Sequence, residues 1–488
     1  MNLFDKIEKI EILYKEGNHD LALRSVKSLY RKHKSNVHVV FCFASMLFRL
    51  KKYDEALPLL RKVFILKPND LKVLRCLAQT LYFCQLDDEA NQIFEKLIQL
   101  EDENPVIWLL LGQLRYRQGN FLGAIEAYQR TLEIAPSSFK AHFEIVNLTK
   151  VIKDSPSFDF FLDKSENGSI REKTIAHFQL GKIYLDQNNI EKSFHHYKLA
   201  NELVYKSQKN DDTEVSSIYK TEPRDRLIFN KNIFNHELLN NTKNQNNSRL
   251  IIICGTPRSG KSLCESILAN HPKIHTYGES TILSDTFQEL SSGTSTSNKT
   301  SLFFLRKFAE EIDKKIFLNK ENFAVFTNPG HTWMLGYLSL AFPKAPIIFC
   351  YRNPLDLGVS IYFKHFKINA LHPYNTNLRK IGEEIRFTEI MMQYWKKNLP
   401  NPSMLLSYAD LVSDPSETAQ KLCAHIGIEF HPNCLSGIHQ VPTIAEALGP
   451  ARSLDILQPV PIIKDYEGIG KRFEKYLAPL KDGYRNAK

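Results

Sequence analysis

The sequence predicts a chain of two structural classes, a helical solenoid in its first half and an α/β domain with a parallel sheet in its second half. The first half carries a sequence pattern with a 34-residue period. The second half contains two strongly apolar segments, each followed by a helical pattern, and the first of them runs into a glycine-containing loop. The chain of 488 residues is about three times the ~150 residues of an average domain, so a single domain is excluded.

Alanines mark the repeat in the first half. Ala22, Ala56, Ala90 and Ala124 follow one another at a constant 34-residue spacing, which is the period of tetratricopeptide repeats. In such repeats small residues let paired helices approach closely, and large residues fill the space between successive pairs. The best copy spans residues 105–136 and has residues of both kinds at or beside the expected positions: Trp108, Leu111, Gly112, Tyr116, Ala124, Tyr128 and Pro136.

A further copy follows a degenerate stretch and ends the array. It spans residues 176–203 and carries Leu180, Gly181, Tyr197 and Ala200, so we predict a repeat array over residues 1–207. Such an array is either a purely structural solenoid or a peptide-binding groove, and the sequence leaves both open. Its helices carry no group of residues suited to chemistry, so catalysis is expected in the second half.

Composition and charge restrict the class of ligand. Hydrophobic residues make up 43% of the chain and charged residues 24%, and the mean hydropathy is −0.31, as in ordinary globular proteins. The net charge of +10 is dispersed, with 28 Lys and Arg against 22 Asp and Glu in residues 249–488 and 36 against 32 elsewhere. A mild excess of this kind suits an anionic ligand or an acidic substrate. Without a basic tail, we predict no nucleic-acid partner.

The spacing of the cysteines and the lack of long apolar runs indicate the cellular compartment. None of the eight cysteines forms a CxxC pair or a cluster at metal-ligand spacing, so we expect reduced thiols rather than disulfides or zinc. The N-terminus is charged, and no run of ~18 apolar residues occurs. We therefore predict a cytoplasmic protein without a membrane span, with export by an unfamiliar signal as the alternative. The oligomeric state is open.

A phosphate-binding loop opens the second half. Residues 208–248 read as a connecting segment, ending in an Asn-rich stretch at 240–248. A buried strand is predicted over Leu250–Cys254 and a helix over Lys261–Ala269, and between them GTPRSGKS (255–262) fits the G-x-x-x-x-G-K-[ST] pattern. Backbone N–H groups at such a helix N-terminus bind anions. We predict that this domain spans residues 249–488.

A second anion site is predicted at the next strong strand. A nucleoside triphosphatase usually has an Asp at such a strand end to hold magnesium, whereas this strand ends in Tyr351 and Arg352. An arginine there, with Ser360 on the following helix, suits a metal-free phosphate site. Asp356 and Asp410 are weak candidates for magnesium ligands.

These segments resemble the sulfotransferase superfamily. The residues that carry the resemblance are PRSGKS followed by ANHP and GES, then YRNPLDLGVSIYFKHF, then SYADLVSDP. The chain is most similar to the bacterial tetratricopeptide-repeat sulfotransferases and to the related tyrosylprotein sulfotransferases. The resemblance covers nearly the whole chain. It implies a parallel α/β domain around a phosphate loop and a donor, 3′-phosphoadenosine 5′-phosphosulfate (PAPS).

The resemblance also implies roles for individual residues. The donor's 5′-phosphosulfate is assigned to Arg258, Ser259, Gly260, Lys261 and Ser262. Arg352 and Ser360 match residues that bind the 3′-phosphate, and Tyr408 matches a tyrosine near the nucleotide. In the closing segments, Ser453 and Lys471 are further candidate contacts.

A catalytic carboxylate and a mechanism follow from the same comparison. Glu279 lies seven residues after Pro272, as does the family's catalytic glutamate after its HP pair, and it can take the proton of the acceptor hydroxyl. Arg258 and Lys261 would stabilise the charge that develops during in-line sulfuryl transfer. A sulfuryl group carries less charge than a phosphoryl group, so no metal is required. Without the motif, Glu279 would be read as a surface or helix-capping acid.

The family pattern is broken at one position. A lysine that contacts the leaving group usually precedes the proline of a segment here written FTNPGH, where Thr327 or Asn328 stands instead. Lys261 is a candidate replacement, and a catalytically weakened site is the alternative. His331 either contacts acceptor or donor or is simply packed. Residues 291–300 form either a mobile loop near the acceptor entrance or an inert insertion.

The sequence is compatible with three functions. The first is a PAPS-dependent sulfotransferase whose repeat array recruits the acceptor, with a peptide tyrosine suggested by the resemblance and sugar or small-molecule hydroxyls as alternatives. The second is an ATP- or GTP-dependent kinase or triphosphatase, suggested by Lys261 and Ser262. The third is a repeat scaffold with a degenerate, nucleotide-sensing sulfotransferase domain.

Overall fold

The computed structural model describes residues 2–151, 155–210, 249–291, 302–316, 322–366, 374–436 and 467–487. The chain divides into two compact units, Met1–Ile145 and Val146–Lys488. The predicted connecting segment 208–248 falls almost wholly outside the described residues, as do Ser453 and nearly all of the stretch 291–300. The predicted domain bounds at 207 and 249 therefore stay predictions.

The first unit is built from consecutive antiparallel helix pairs. The helices are α1 (Leu3–Lys15), α2 (His19–Lys32), α3 (Val37–Arg49), α4 (Tyr53–Leu66), α5 (Leu71–Phe83), α6 (Asp87–Leu100), α7 (Pro105–Arg117) and α8 (Phe121–Ile134), and α9 (Phe139–Leu148) reaches across the division between the units. The four periodic alanines lie one each on α2, α4, α6 and α8, and all are fully buried. The 34-residue period is therefore the period of the helix pairs.

A second 34-residue period lies at the helix starts. Asn2, Asn36, Asp70 and Asn104 cap α1, α3, α5 and α7, and each side chain accepts a hydrogen bond from a backbone N–H of the first turn. Such caps satisfy donors that have no partner within the helix. The first helix of each of these pairs thus begins at the same place in its repeat.

Glycine and tyrosine meet where paired helices cross. A methyl group built on Gly112 would lie 2.5 Å from the Tyr128 ring, and one built on Gly181 would lie 2.9 Å from the Tyr197 ring. Both tyrosine rings are buried. The predicted combination of a small and a large residue therefore occurs in the copy at 105–136 and in the copy at 176–203.

The second unit contains a five-stranded parallel sheet. Its strands are β1 (Leu250–Cys254), β2 (Ile274–Thr276), β3 (Phe323–Phe326), β4 (Ile347–Tyr351) and β5 (Ser403–Ser407), in the order β2-β3-β1-β4-β5. From β1 the chain continues to one side of the sheet, and from β4 it continues to the other. Ligands of open α/β sheets bind at the carboxyl ends of strands at such a point.

The second unit also contains helices. They are α10 (Pro156–Asn167), α11 (Ile170–Asp186), α12 (Ile190–Asn210), α13 (Lys261–Ala269), α14 (Ile282–Ser291), α15 (Leu302–Lys315), α16 (His331–Ala341), α17 (Pro354–Tyr362), α18 (Leu378–Asn398), α19 (Tyr408–Ser413), α20 (Pro415–Ile426), α21 (Ile469–Arg472) and α22 (Ala478–Asn486), with 3₁₀ turns at Pro432–Leu435 and Glu474–Tyr476. The first strand and α13 have the bounds that the sequence predicts. Together with the repeat helices, they confirm the predicted fold class.

Alternate residues of the central strands face two cores. Ile252 and Phe349 belong to a core with α15, α16 and α18, whereas Ile251, Ile253 and Ile348 belong to a core with α13 and α20. Side chains of a strand alternate between the faces of its sheet, so strands that read as continuous apolar runs are covered on both sides. The carboxyl ends of β1 and β4 lie outside both cores, so polar residues are expected there.

The helix pair α11–α12 shares a third core with the sheet domain. Phe178, Tyr197 and Val204 pack in one cluster with Leu357 of α17 and Ile381 of α18. Asn201 donates a hydrogen bond from Nδ2 to the backbone oxygen of Tyr362 over 2.9 Å, where α17 ends. The last repeat copy is thus packed directly on the helix that follows β4.

Among the described residues, no helix is both long enough and apolar enough to span a membrane. All eight cysteines lie within the described ranges, and each is a free thiol.

Candidate functional site

The phosphate loop joins β1 to α13 in a conformation that needs its glycines. Gly255 has a φ of 147°, and a side chain there would collide with the carbonyl oxygen of Cys350 on the neighbouring strand. Gly260 has a φ of 104° and lies against Tyr408, where a methyl group would be 3.1 Å from the ring. Arg258 also has a left-handed φ, of 71°. The loop is therefore held tightly over the carboxyl end of β1.

Lys261 is folded under this loop. Its Nζ donates hydrogen bonds to the carbonyl oxygens of Gly255 and Thr256, at 3.0 and 3.3 Å. Burial lowers the pKa of the lysine, and the nearby Glu279 acts in the opposite direction. In the same loop, Ser259 is fully buried and its Oγ has no hydrogen-bond partner among the described residues, whereas Ser262 is exposed.

Arg258, Ser360, Arg352 and Tyr408 form a contiguous cluster. Arg258 donates a hydrogen bond from Nε to Ser360 Oγ over 3.1 Å, which ties the phosphate loop to α17. The guanidinium carbon of Arg352 lies 4.1 Å from the centroid of the Tyr408 ring. Burial raises the pKa of Tyr408, and Arg352 and Arg258 both act to lower it. The residues assigned to the two ends of the donor therefore meet where β1 and β4 end.

Lys364 is a cation of this cluster that the sequence reasoning missed. It lies just beyond α17 and is only 5% exposed. Burial lowers its pKa, and the positive charge of Arg258 lowers it further. Burying cations close together costs free energy unless an anion offsets their charge, so this arrangement favours an anionic ligand.

Asp356 binds backbone N–H groups and is not placed to hold magnesium, contrary to the sequence prediction. Its two carboxylate oxygens accept hydrogen bonds from the backbone N–H groups of Gly468 and Gly470, at 2.8 and 2.7 Å. Its side chain is thereby bound to the N-terminus of α21, whose N-cap is Gly468. Asp410 is exposed on α19. Within the described ranges, no group of three or more His, Cys, Asp or Glu residues is arranged to hold a metal ion.

Glu279 follows β2 on the other side of the phosphate loop. Its side chain is exposed, while its backbone oxygen accepts a hydrogen bond from Asn328 Nδ2 over 2.8 Å. Thr327, which stands with Asn328 in the place of the family lysine, is 2% exposed. The loops after β2 and β3 are therefore fastened to each other beside Lys261.

Glu265 is a second carboxylate in this region, and the sequence reasoning did not identify it. It lies on α13 one turn after Lys261 and accepts a hydrogen bond from Thr327 Oγ1 over 3.1 Å. Burial raises its pKa, hydrogen bonds from Thr327 and from the backbone of Gly278 lower it, and Glu279 raises it. The only signal in the sequence was its i,i+4 spacing from Lys261, which places both on one helix face.

His331 begins α16 and is buried at 1% exposure. Neither ring nitrogen has a hydrogen-bond partner among the described residues. Burial lowers the pKa of His331 to about 3, with a smaller effect in the same direction from Lys261. The imidazole is thus neutral at physiological pH. Lys471 is exposed on α21.

Comparisons with known proteins agree with this architecture. Residues 251–432 match the Sulfotransferase family, and residues 88–139 match the Tetratricopeptide repeat family. An uncharacterized protein of Aquifex aeolicus (strain VF5) is 24% identical over 374 residues, which are 72% of this chain and 46% of the relative. The 3-alpha-hydroxysteroid sulfotransferase of Cavia porcellus is 30% identical over 97 residues, which are 18% of this chain and 33% of the relative. The chain thus spans less than half of the length of either relative.

Solved structures similar to part of the chain are helical repeat proteins. YrrB, described as a TPR protein with an unusual peptide-binding site, has 18% identity and a TM-score of 0.31 over 36% of this chain and 91% of that chain. MamA has 18% identity and a TM-score of 0.26 over 43% of this chain and 98% of that chain. In this chain, a segment that matches the sulfotransferase family, residues 251–432, therefore follows a segment that matches the tetratricopeptide repeat, residues 88–139.

Proposed function

We propose that the chain transfers a sulfuryl group from PAPS to an acceptor hydroxyl. The observation that carries this proposal is the 3.1 Å hydrogen bond between Arg258 of the phosphate loop and Ser360 of α17. It joins two anion-binding elements at adjacent strand ends, as a nucleotide with phosphates at both its 3′ and 5′ positions requires. The match to the sulfotransferase family supports the same reaction class.

The described residues fit such a nucleotide. Arg352, Ser360 and Tyr408 would hold its 3′-phosphate, and the loop from Arg258 to Ser262 would hold its 5′-phosphosulfate. The buried Ser259 hydroxyl, with no partner among the described residues, is a donor suited to a phosphate or sulfate oxygen. Lys364 adds a buried amine beside Arg258, and an anion bound there would favour its protonated form. Lys471 and Ser453 remain further candidate contacts.

The chain's own residues supply the acid–base and electrostatic parts of the reaction. Bound PAPS would supply the activated sulfuryl group. Glu279, whose side chain is exposed at the sheet edge, would accept the proton of the acceptor hydroxyl. Lys261 and Arg258, with backbone N–H groups of the loop, would stabilise the negative charge that develops. Because these cations belong to the chain, we expect turnover to survive chelation with EDTA, and its loss would contradict this mechanism.

The repeat array would recruit the acceptor or a separate partner. A peptide groove is the usual means by which stacked helix pairs bind proteins, and the TPR family match at residues 88–139 supports this use. A tyrosine hydroxyl in a peptide is the acceptor we propose. Sugar hydroxyls and small molecules are the alternatives, and the name of the Cavia porcellus relative includes a hydroxysteroid.

A second candidate is a nucleotide sensor with little or no turnover. The observation that favours it is Thr327, a buried neutral residue where the family has a lysine. The kinase or triphosphatase alternative is weakened by Asp356, because both of its carboxylate oxygens are occupied by backbone N–H groups.

One pair of measurements separates these functions. Adenosine 3′,5′-bisphosphate should raise the unfolding temperature more than ATP with magnesium does, because a ligand of the native state stabilises it. A response to ATP with magnesium alone would contradict the proposal and favour a kinase. Transfer of radiolabelled sulfate from PAPS to tyrosine peptides then distinguishes the enzyme from the sensor.

A further inference from the structure

The two loops that flank Lys261 are joined by a set of hydrogen bonds. The backbone N–H of Thr327, after β3, donates to the carbonyl oxygen of Gly278, after β2, over 2.8 Å. Asn328 Nδ2 donates to the carbonyl oxygen of Glu279 over 2.8 Å. Both contacts fix the backbone around Glu279, although neither involves its side chain. The exposed carboxylate of Glu279 thus extends from a turn whose backbone is held by hydrogen bonds.

The side chain of Glu265 bonds to both loops from a third element. Its carboxylate accepts from Thr327 Oγ1 over 3.1 Å and from the backbone N–H of Gly278, the residue directly before Glu279. It is placed there by α13, the helix that also carries Lys261. One carboxylate therefore connects the phosphate-loop helix to the β2 and β3 loops.

We propose that Glu265 is a positioning residue, which holds the turn at Gly278 against Thr327 and thereby aims Glu279 at the acceptor hydroxyl. This inference rests on the proposed function for the role of Glu279, but the hydrogen bonds themselves do not. The residue would act through another group rather than touch the reacting atoms. Its hydroxyl partner, Thr327, stands at the point where the family pattern is broken, so the loop there has a structural contact in place of a charge.

The charges around Glu265 agree with this role. Lys261 and Glu279 both interact with it electrostatically, in opposite directions. Burial raises the pKa of Glu265, and the two hydrogen bonds from Thr327 and Gly278 favour its ionised form. The carboxylate is thus kept in place by donors instead of by a direct ion pair, which leaves the ammonium of Lys261 bonded to the loop carbonyls.

Two substitutions separate positioning from direct chemistry. Glu265→Gln keeps an oxygen that accepts hydrogen bonds, so it should retain turnover within about fivefold, since a neutral hydrogen bond is worth about 1 kcal/mol. Glu265→Ala removes the acceptor and should lower kcat by about 100-fold, as a misplaced catalytic group does, with the affinity for adenosine 3′,5′-bisphosphate unchanged. If Glu265 were itself the base, the Gln variant would lose activity as fully as the Ala variant, and that result would overturn the proposal.

A readout without turnover keeps this test separate from the proposed function. Amide hydrogen exchange should speed up at residues 277–280 in Glu265→Ala but not in Glu265→Gln, because the N–H of Gly278 loses its acceptor only in the former. Unchanged exchange in both variants would overturn the positioning role even if no acceptor is ever sulfated. Faster exchange with no sulfate transfer by the unaltered protein would instead contradict the proposed function.

A substitution of Thr327 tests whether Glu265 acts through its contact with Thr327, and a substitution of Glu289 provides a control. Thr327→Val should reproduce part of the Glu265→Ala defect, and the double variant Glu265→Ala/Thr327→Val should be no worse than Glu265→Ala alone. Additive losses would contradict a shared contact. Glu289→Ala removes an exposed glutamate that pairs with Lys315 at 2.7 Å, and it should leave both kcat and exchange at 277–280 unchanged.

Discussion

Tyr197 of α12 stacks on Phe363, just beyond α17, with ring centroids 3.8 Å apart and an interplanar angle of 8°. Tyr197 belongs to the last repeat copy, and Phe363 lies three residues after Ser360. Both rings are buried. The repeat helix is therefore part of the packing that holds the helix of the second anion site.

Removing the Tyr197 ring should destabilise the second unit strongly. Tyr197→Ala leaves a cavity beside Gly181 and Phe363, and truncation of a buried aromatic side chain costs about 3–5 kcal/mol. Urea unfolding should show this loss in the free energy of unfolding. Tyr205→Ala, at a half-exposed position of the same helix, should change it by less than about 0.5 kcal/mol. Equal effects of the two substitutions would contradict this account.

A fragment that begins at residue 249 should fold poorly. It lacks Phe178, Tyr197 and Val204, so the apolar surfaces of α17 and α18 would be exposed to water. A fragment of residues 146–488 retains them and should be monodisperse and cooperative in thermal unfolding. A stable, soluble fragment of residues 249–488 would show that the helix pair is dispensable and would support the domain bounds predicted from sequence.

Arg352 should dominate binding at the second anion site. Arg352→Ala removes a buried guanidinium that lies over Tyr408, and we expect the affinity for adenosine 3′,5′-bisphosphate to fall by about 100-fold, since charge-assisted contacts of this kind are worth about 2–5 kcal/mol. Ser360→Ala removes one neutral hydrogen-bonding group and should cost about fivefold. Isothermal titration calorimetry measures both. The control is Arg379→Ala, whose ion pair with Asp482 is exposed.

Lys261 should affect both binding and turnover if it replaces the missing family lysine. Lys261→Ala removes the ammonium that lies under the phosphate loop, so we expect weaker donor binding and a fall in kcat of about 100-fold, typical for loss of one group that stabilises developing charge. Steady-state kinetics with labelled PAPS tests this. Unchanged affinity and turnover would exclude the replacement role, and Lys273→Ala, at an exposed position nearby, is the matched control.

His331 should make the protein less stable in acid. Its pKa is about 3 in the folded state against 6.5 for an ordinary histidine, so below pH 6.5 the unfolded chain binds a proton that the folded chain does not. The stabilising effect is complete above about pH 6.5 and is lost as the pH falls towards 3. Relative to His331→Phe, the unaltered protein should lose up to about 2–3 kcal/mol more between pH 7 and 4.5. Parallel pH–stability curves would contradict a buried, neutral imidazole.

Local patterns were predictable from the sequence, whereas long-range contacts were not. The alanine period, β1 and α13 follow from residues close together in the chain, and the structure has them where they were expected. The hydrogen-bond donors to Asp356 are the backbone N–H groups of Gly468 and Gly470, which lie far along the chain. No residue near Asp356 in the sequence indicated that its carboxylate binds these groups and not a metal ion. Glu265 was missed for the same reason, because its donors belong to the separate loops that follow β2 and β3.

The 34-residue spacing of the buried alanines also determines how this protein can change length. Deleting residues 53–86 would join α3 to α6, put Ala90 in the place of Ala56, and leave each remaining helix with a neighbour of the same kind. A deletion of half that length, such as residues 53–69, would instead place two first helices, α3 and α5, next to each other. The length of the array should therefore vary by the gain or loss of whole 34-residue repeats, with the second unit unaltered.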